Sequence, residues 1–248
     1  MKIIISPAKK MQVNDDFEVL SQPRFLDESH QLMKYLKTLN QTQLQAIWRC
    51  SDKLAQENYQ RIKDFSFEKR LSPALFTYVG LQFQSLAADV FTQDKLDYLK
   101  EHLFIVSGLY GLLRPFDGIN LYRLEMQAKL PDFSSSNLYD FWGTKLYQAL
   151  FEGQQPVLNL ASKEYSQAIS PYLQANDQFI NCVFAKKQSQ TGKLVVRATA
   201  AKQARGDMVS YLAEVQAQDL EAVRSYQRLG YVYSEVDSSP NKLVFIKQ

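Results

Sequence analysis

The sequence predicts an α+β protein whose mixed sheet is flanked by helices, and three observations carry that expectation. Short apolar runs bounded by turn residues, among them Lys2–Ile5 ahead of Pro7 and residues 156–160, have the length of buried strands. Other segments place apolar residues at i, i+4 and i+7, as Leu32, Leu36 and Leu39 do, which is one face of a helix. The two kinds of segment are interleaved without the strict strand–helix–strand rhythm of an all-parallel sheet. The 248 residues, 46% hydrophobic and 22% charged, suffice for one substantial core, and no repeat or linker divides them. Residues 1–248 are therefore read as one domain.

After the first strand, residues 27–40 read as a helix, and Ala55, Tyr59 and Ile62 mark a second. Residues 75–79 read as a strand ended by Gly80. Thr92, followed by Asp94, has the N-cap and first-turn acid of a helix start, with Leu96, Leu99 and Leu103 along one face. The run Phe104-Ile105-Val106 is stopped by Ser107-Gly108. Asn137 is placed to cap a helix that buries Leu138, Trp142 and Leu146. Residues 179–185 and 194–200 read as paired strands around a turn at 188–193. Ala204, Met208, Tyr211 and Val215 mark a helix, residues 220–229 another, and 231–235 with 243–247 a closing strand pair.

Composition removes several classes of function. Cys50 and Cys182 make no disulfide framework and read as buried thiols in a reducing compartment. The N-terminal apolar run is too short for a signal peptide and no stretch of ~18 apolar residues occurs, so the expected location is cytoplasmic, away from the membrane. His30 and His102 have no Glu or Cys at ligand spacing, so neither a metal site nor a cofactor is expected. Ser-His-Asp and Cys-His arrangements lack candidates, and the glycine cradles of common nucleotide sites are missing. A net charge of +3 says little, but its distribution says more. Residues 178–206 hold Lys186, Lys187, Lys193, Arg197, Lys202 and Arg205 and no acid. Such a segment makes a local positive field for phosphates, or a solvated face balanced by carboxylates from elsewhere.

Several short polar motifs beside apolar strands are candidates for chemistry. In Ile5-Ser6-Pro7-Ala8-Lys9 a lysine follows a strand end, where ligands bind in α/β sheets. In Ser107-Gly108-Leu109-Tyr110-Gly111-Leu112-Leu113-Arg114-Pro115 two glycines allow backbone N–H groups to approach a phosphate, with Arg114 nearby. A helix followed by a glycine turn is also how helix-hairpin-helix modules grip DNA. Here the glycines are one residue further apart than in the usual Gly-apolar-Gly turn, and Pro115 truncates any second helix. Arg123 and Glu125 alternate with apolar neighbours and so project from one side of an extended segment, as a site or as a plain ion pair. Asn159-Leu160-Ala161-Ser162-Lys163 is a strand end entering a helix, with Ser162 and free N–H groups as an anion site. Lys202 and Arg205 are i, i+3 on a helix.

Taken together these motifs resemble the YaaA peroxide-stress family, in order and wording, from Lys2 to about Phe245. The matching stretches are Ser-Pro-Ala-Lys, Tyr78-x-Gly80-Leu81-Gln82, Ser-Gly-Leu-Tyr-Gly-x-Leu-Arg-Pro, Tyr-Arg-Leu-Glu-Met, Leu138-Tyr139-x-Phe141-Trp142-Gly143, Asn-Leu-Ala-Ser-x-Glu-Tyr and Ala-Lys-x-Ala-Arg-Gly. The resemblance implies protection against hydrogen peroxide with low intracellular free iron, and DNA binding. It also implies a family-specific α+β fold with a helix-hairpin-helix element, here residues 92–114, and a basic cleft. Carried onto this sequence, the DNA-binding set is Lys9, Gly108, Gly111, Arg114, Arg123, Lys163, Lys202 and Arg205.

The leading expectation is a protein that grips duplex or distorted DNA through its backbone, with little sequence preference, while Tyr110, Tyr122 or Trp142 stack on an unpaired base. An alternative is an enzyme acting on nucleic acid or nucleotide, glycosylase- or lyase-like, with Lys9 or Lys202 as a desolvated nucleophile and Glu125 as acid or base. A cleft that buries Glu125 against a lysine, with room for a base, favours that alternative. Direct iron sequestration is a third reading, opposed by the lack of His and Cys clusters.

Overall fold

The computed structural model describes residues 1–248. Eight strands form its main sheet: β1 (Lys2–Ile5), β2 (Leu103–Ser107), β3 (Gly111–Leu113), β4 (Val157–Leu160), β5 (Phe179–Lys187), β6 (Leu194–Val195), β7 (Tyr231–Tyr233) and β8 (Lys242–Lys247). They lie in the order β7-β8-β5-β4-β1-β2-β3, and β6 folds back on the end of β5. The five central strands run parallel, while β3 and β7 are antiparallel edges, so the sheet is mixed. Ile3, Ile4, Ile5, Leu158 and Leu160 have no exposed surface, because both faces of the centre are covered. The Gln93–His102 helix packs on β1 and β2, and the Ala198–Glu214 helix packs on β5 and crosses the Leu81–Leu86 helix.

The order of the strands sets where a ligand belongs. From β1 the chain passes to β2 on one side; β4, on the other side, leads away to β5. The strand order therefore reverses between β1 and β4, and the crevice outside the carboxyl ends of such a pair is where open parallel sheets take ligands. Ser6 leaves β1 and Ser162 follows β4 at that boundary, Ile5 being paired with Leu160.

Several expected elements are altered by tertiary packing. Residues 75–79 are not one strand: Ala74–Thr77 is a single helical turn, and only Tyr78–Val79 is extended, against Lys10–Met11. A short apolar run has no period to separate the two states, and here Thr77 Oγ donates to the Pro73 carbonyl to close the turn. Asn137 caps Leu138–Trp142 as expected, but Gly143 at φ +47° ends that helix and Leu146 belongs to the next, Lys145–Phe151. The partner of β5 stops at Val195, and residues 198–200 already belong to the long helix.

The helix-hairpin-helix expected at 92–114 is absent. The Gln93–His102 helix is followed by β2, a tight turn and β3, an antiparallel hairpin with no second helix. Leu109 and Tyr110 in its turn are completely buried, and the Tyr110 N–H donates to Ser107 Oγ at 2.9 Å. Gly108 fits because a Cβ there would stand 2.4 Å from the Leu124 carbonyl oxygen, and Gly111 turns the chain at φ +73° against Trp142. Both glycines serve packing, and this turn has no free surface to offer a phosphate.

Gly206 plays the same part for the long helix. A Cβ at this position would lie 1.9 Å from the Gln82 carbonyl oxygen, so the Ala198–Glu214 and Leu81–Leu86 helices cross with backbones in contact. Helix propensity alone makes Gly206→Ala stabilising by about 1 kcal/mol; the backbone clash reverses the sign. The variant should lose roughly 1–3 kcal/mol as the helices are forced apart, read as a fall of several degrees in thermal unfolding.

Candidate functional site

Three elements meet over the β1–β4 boundary: the loop after β1, the turn after β4, and the face of the Ala198–Glu214 helix that carries Lys202 and Arg205. With the start of the Leu81–Leu86 helix they enclose a crevice of about 340 Å3, lined by Ser6, Lys9, Lys10, Gln82, Ser162, Glu164, Tyr165, Lys202 and Arg205. Local chemistry fixes each side. Asn159 donates to Asn181 Oδ1 at 2.8 Å and accepts the Ala161 N–H at 2.9 Å, which holds the turn after β4. Ser162 N–H then donates to Ser6 Oγ at 2.8 Å and ties the two strand ends together. That bond uses one of the N–H groups expected to bind an anion, and the helix it opens, Lys163–Ser166, is a single turn with little dipole to offer. The anion-binding potential of the crevice thus rests chiefly on its side chains.

The long helix buries Ala201, Ala204, Gly206 and Met208, which leaves Lys202 and Arg205 on the flank toward the crevice. Neither forms an ion pair. Arg205 Nε is sealed from solvent and has no acceptor, and burial pulls the guanidinium pKa below its ordinary value. The neighbouring Cys182 thiol is pushed up to about 12 by burial, which makes it inert.

On the far side of the loop the charges are matched. Glu125, 7% exposed, accepts from Arg123 Nη2 at 2.9 Å and stands 3.3 Å from Lys9 Nζ. The alternation of residues 122–126 puts both charged side chains on one side, as expected, while Tyr122 and Leu124 are buried. A second cavity of about 690 Å3 opens here, lined by Lys9, Glu125, Trp48, Ile47, Leu130 and Phe133 among others. Lys9 lines both cavities. Glu164 lies between them and accepts the Gln127 N–H; burial raises its carboxyl pKa, against the lowering effect of that bond and of Lys9.

The structure therefore joins Lys9, Glu125, Arg123, Lys202 and Arg205 in one region, and it separates the other expected contacts from it. Arg114 lies in a different cavity beside Asp117 and Arg24. Lys163 is exposed outside the crevice lining, and Gly108 and Gly111 are in the core. Tyr110, Tyr122 and Trp142 have at most 4% of their surface exposed, so none is available to stack on a base. Their polar ends are engaged internally: Tyr122 OH bonds Tyr78 OH at 2.7 Å and Ser107 Oγ at 2.6 Å, and Trp142 Nε1 donates to the Gly108 carbonyl. Lys9 is 62% exposed and Lys202 is exposed, so neither has the burial that a desolvated nucleophile needs. Glu164 and Tyr165, which sequence reasoning left out, had a signal in the Asn-Leu-Ala-Ser-x-Glu-Tyr stretch.

The family described as "Peroxide stress protein YaaA" matches residues 1–237. The chain belongs to this family. Similar curated relatives, each called a UPF0246 protein, include one from Pediococcus pentosaceus, 47% identical over all of this chain and 98% of its own. Others come from Lactiplantibacillus plantarum, 47% identical over the whole of both chains, and Lachnoclostridium phytofermentans, 44% identical over all of this chain and 96% of its own. In this member of the YaaA family the stretches that carry the likeness fall into two groups. Ser-Pro-Ala-Lys, Asn-Leu-Ala-Ser-x-Glu-Tyr and Ala-Lys-x-Ala-Arg-Gly build the crevice. Ser-Gly-Leu-Tyr-Gly and the tyrosine network brace the segment that carries Arg123 and Glu125.

Two outcomes follow from these charges. Glu125→Ala leaves the nine-tenths-buried Arg123 without a carboxylate, and should cost about 3–5 kcal/mol in a denaturant titration. Joint replacement by Arg123→Met and Glu125→Leu should cost much less. Glu164 has a raised folded pKa, so the folded state binds its proton more tightly and its contribution to stability is lost as pH rises from the ordinary carboxylate value of 4.5. Glu164→Gln should therefore melt higher than the parent at pH 7, and the gap should close below pH 4.5.

Proposed function

We propose that this protein binds nucleic acid, DNA first, through backbone phosphates at the β1–β4 crevice, as its part in peroxide defence. The observation that carries the reading is Arg205: a guanidinium with a sealed Nε, no acceptor and no carboxylate, set beside an equally unpaired Lys202 in a crevice at a strand-order reversal. Leaving a largely buried cation unmatched costs stability; the Nε is closed to a ligand, but the Nη atoms make no hydrogen bond and are not sealed, and there a phosphate oxygen supplies the missing partner. The surroundings extend the field. β5 continues to Lys187, well past its last pairing with β4 at Asn181, so the β5–β6 hairpin with Lys186 and Lys193 stands on the same carboxyl-terminal side. Lys187 is held by Asp237 at 3.2 Å, whereas Lys186, Lys193 and Arg197 make no ion pair. Contacts of this kind position a backbone and carry no sequence information.

A second reading, turnover of a nucleic acid or nucleotide, is favoured by one feature: Glu125 is buried against Lys9 at the mouth of a cavity with room for a base. Incubation with undamaged and oxidatively damaged duplexes, scored for retention and for base or strand release, separates binding from turnover. The low free iron that the resemblance implies is proposed to follow indirectly, since no three His, Cys, Asp or Glu side chains converge as metal ligands. Equilibrium dialysis with ferrous and ferric iron should show weak binding only; stoichiometric, chelator-resistant iron would promote sequestration instead.

DNA affinity should fall steeply with salt, because each bound phosphate releases counterions. The double variant Lys202→Ala, Arg205→Ala should melt no lower than the parent, as no internal ion pair is lost and the unmatched guanidinium is removed. It should bind DNA more weakly across all sequences, with the log–log salt slope reduced by about two contacts. A salt-independent affinity, or a destabilised variant whose folded fraction binds normally, overturns the reading.

A further inference from the structure

We infer that the cavity beyond the Lys9–Glu125 bridge receives the base of an unpaired nucleotide whose phosphate lies in the crevice at Lys202 and Arg205. This rests on the phosphate reading above and adds what else of the ligand is recognised.

The two cavities, about 340 Å3 and 690 Å3, share Lys9 in their walls, and that side chain is 62% exposed, so a ligand that occupies both crosses over it. Both volumes lie in the range of small-molecule sites. Their chemistry differs in the way the two ends of a nucleotide differ. The crevice end is cationic and hydroxylic, with Arg205, Lys202, Ser6 and Ser162. The far end has apolar walls from Ala46, Ile47, Trp48, Leu130 and Phe133, with polar groups between them. A flat heterocycle offers an apolar face to such walls and an edge of acceptors and donors to the polar groups.

Trp48 lines the cavity with only 2% of its surface exposed, and its indole N–H is sealed from the cavity as it is from water. The base is therefore held through its apolar faces against Ile47, Leu130 and Phe133, and through its edge by the polar groups of Gln127 and Ser136 set among those walls. A sugar phosphate without its base has no flat apolar face to offer them. At the junction, the sugar falls beside Lys9, Glu125 and Glu164. A base still stacked and paired in a duplex cannot enter a cavity of this size, so the recognised nucleotide is one that is bulged, terminal, single-stranded or extruded.

Calorimetric titration of the whole protein with nucleoside 5′-monophosphates, ribose 5-phosphate and inorganic phosphate tests this. The monophosphates should bind at least about tenfold tighter than ribose 5-phosphate, about 1.4 kcal/mol, and inorganic phosphate should compete with both. Ala46 is exposed on its helix and lines the cavity, so Ala46→Trp fills the space without entering the core. It should abolish the base-dependent gain, leave inorganic phosphate binding unchanged, and remove any preference for a duplex carrying one bulged nucleotide over a fully paired one. Equal binding of monophosphates and ribose 5-phosphate by the parent protein overturns the inference, as does a base preference that survives Ala46→Trp; in either case phosphate binding that is lost on Arg205→Gln keeps the phosphate reading standing. No phosphate binding at all, with Arg205→Gln silent toward DNA, sinks both.

Discussion

The parallel pairing of β1 on both its edges is the constraint on which the rest of the molecule depends. Ile3, Ile4 and Ile5 are matched to Leu103, Phe104 and Ile105 on one side and to Leu158, Asn159 and Leu160 on the other. Because both faces are buried, this strand gains nothing from alternation and reads as an unbroken apolar run. Its register is instead fixed at the end. With Ile5 beside Leu160, the Ser6 hydroxyl comes within 2.8 Å of the Ser162 amide, one residue beyond its level, and a slip of one residue would break that bond. Lys9 follows from Ser6 by the shortest path, and the strand-order reversal leaves the space above it open.

A second buried framework holds the opposite wall. Tyr78, Tyr122 and Ser107 form a closed hydroxyl chain with no exposed member, and Ser107 also takes the Tyr110 amide. Burial pushes the Tyr122 phenol up to about 12, so the chain is neutral at any physiological pH. A fully satisfied polar network of this kind specifies one arrangement. Gly108 beneath the Leu124 carbonyl makes that arrangement possible, and its result is that Arg123 and Glu125 arrive at the cleft already paired. The glycines and aromatics of this stretch thus act at one remove from any ligand.

Much of the fold was legible because periodicity reports burial directly. The helix around Leu32 and Leu36, the long helix through Met208, and the closing pair of strands all appear where the apolar spacing puts them. What periodicity does not report is which backbone lies against which. The Gln41–Trp48 helix escaped although Leu44, Ile47 and Trp48 share its buried face and Asn40 with Gln43 forms its reciprocal cap, because eight residues hold only about two turns of the period. The glycine turn at 108–111 reads the same whether its amides face a phosphate or a core; only the position of Leu124 decides, and that residue is distant from a hairpin in any local window. For the site, the pairing of Arg123 with Glu125 follows from two-residue alternation, and the shared face of Lys202 and Arg205 from helical spacing. Arg114 and Lys163 were equally basic and equally close to strand ends, but the twist of the chain after those ends carries them elsewhere.

The division of charge across the cleft then has a physical consequence. Lys9 and Arg123 share Glu125, and Glu164 lies close to Lys9 as well, so two cations meet two carboxylates and the field they project toward a ligand is largely cancelled. Lys202 and Arg205 have none, and the burial that depresses the Arg205 pKa also lowers the local dielectric, which strengthens any Coulomb interaction made there. The positive potential is therefore lopsided, concentrated against the long helix and weak at the Glu125 wall. An anionic group is drawn to one end only, while an uncharged, flat group meets little electrostatic preference at the other. Since an unmatched guanidinium destabilises the empty fold and an anion relieves it, occupancy of the crevice and stability of the chain are linked: the same residue that weakens the protein when alone is the one that gives a phosphate its reason to bind.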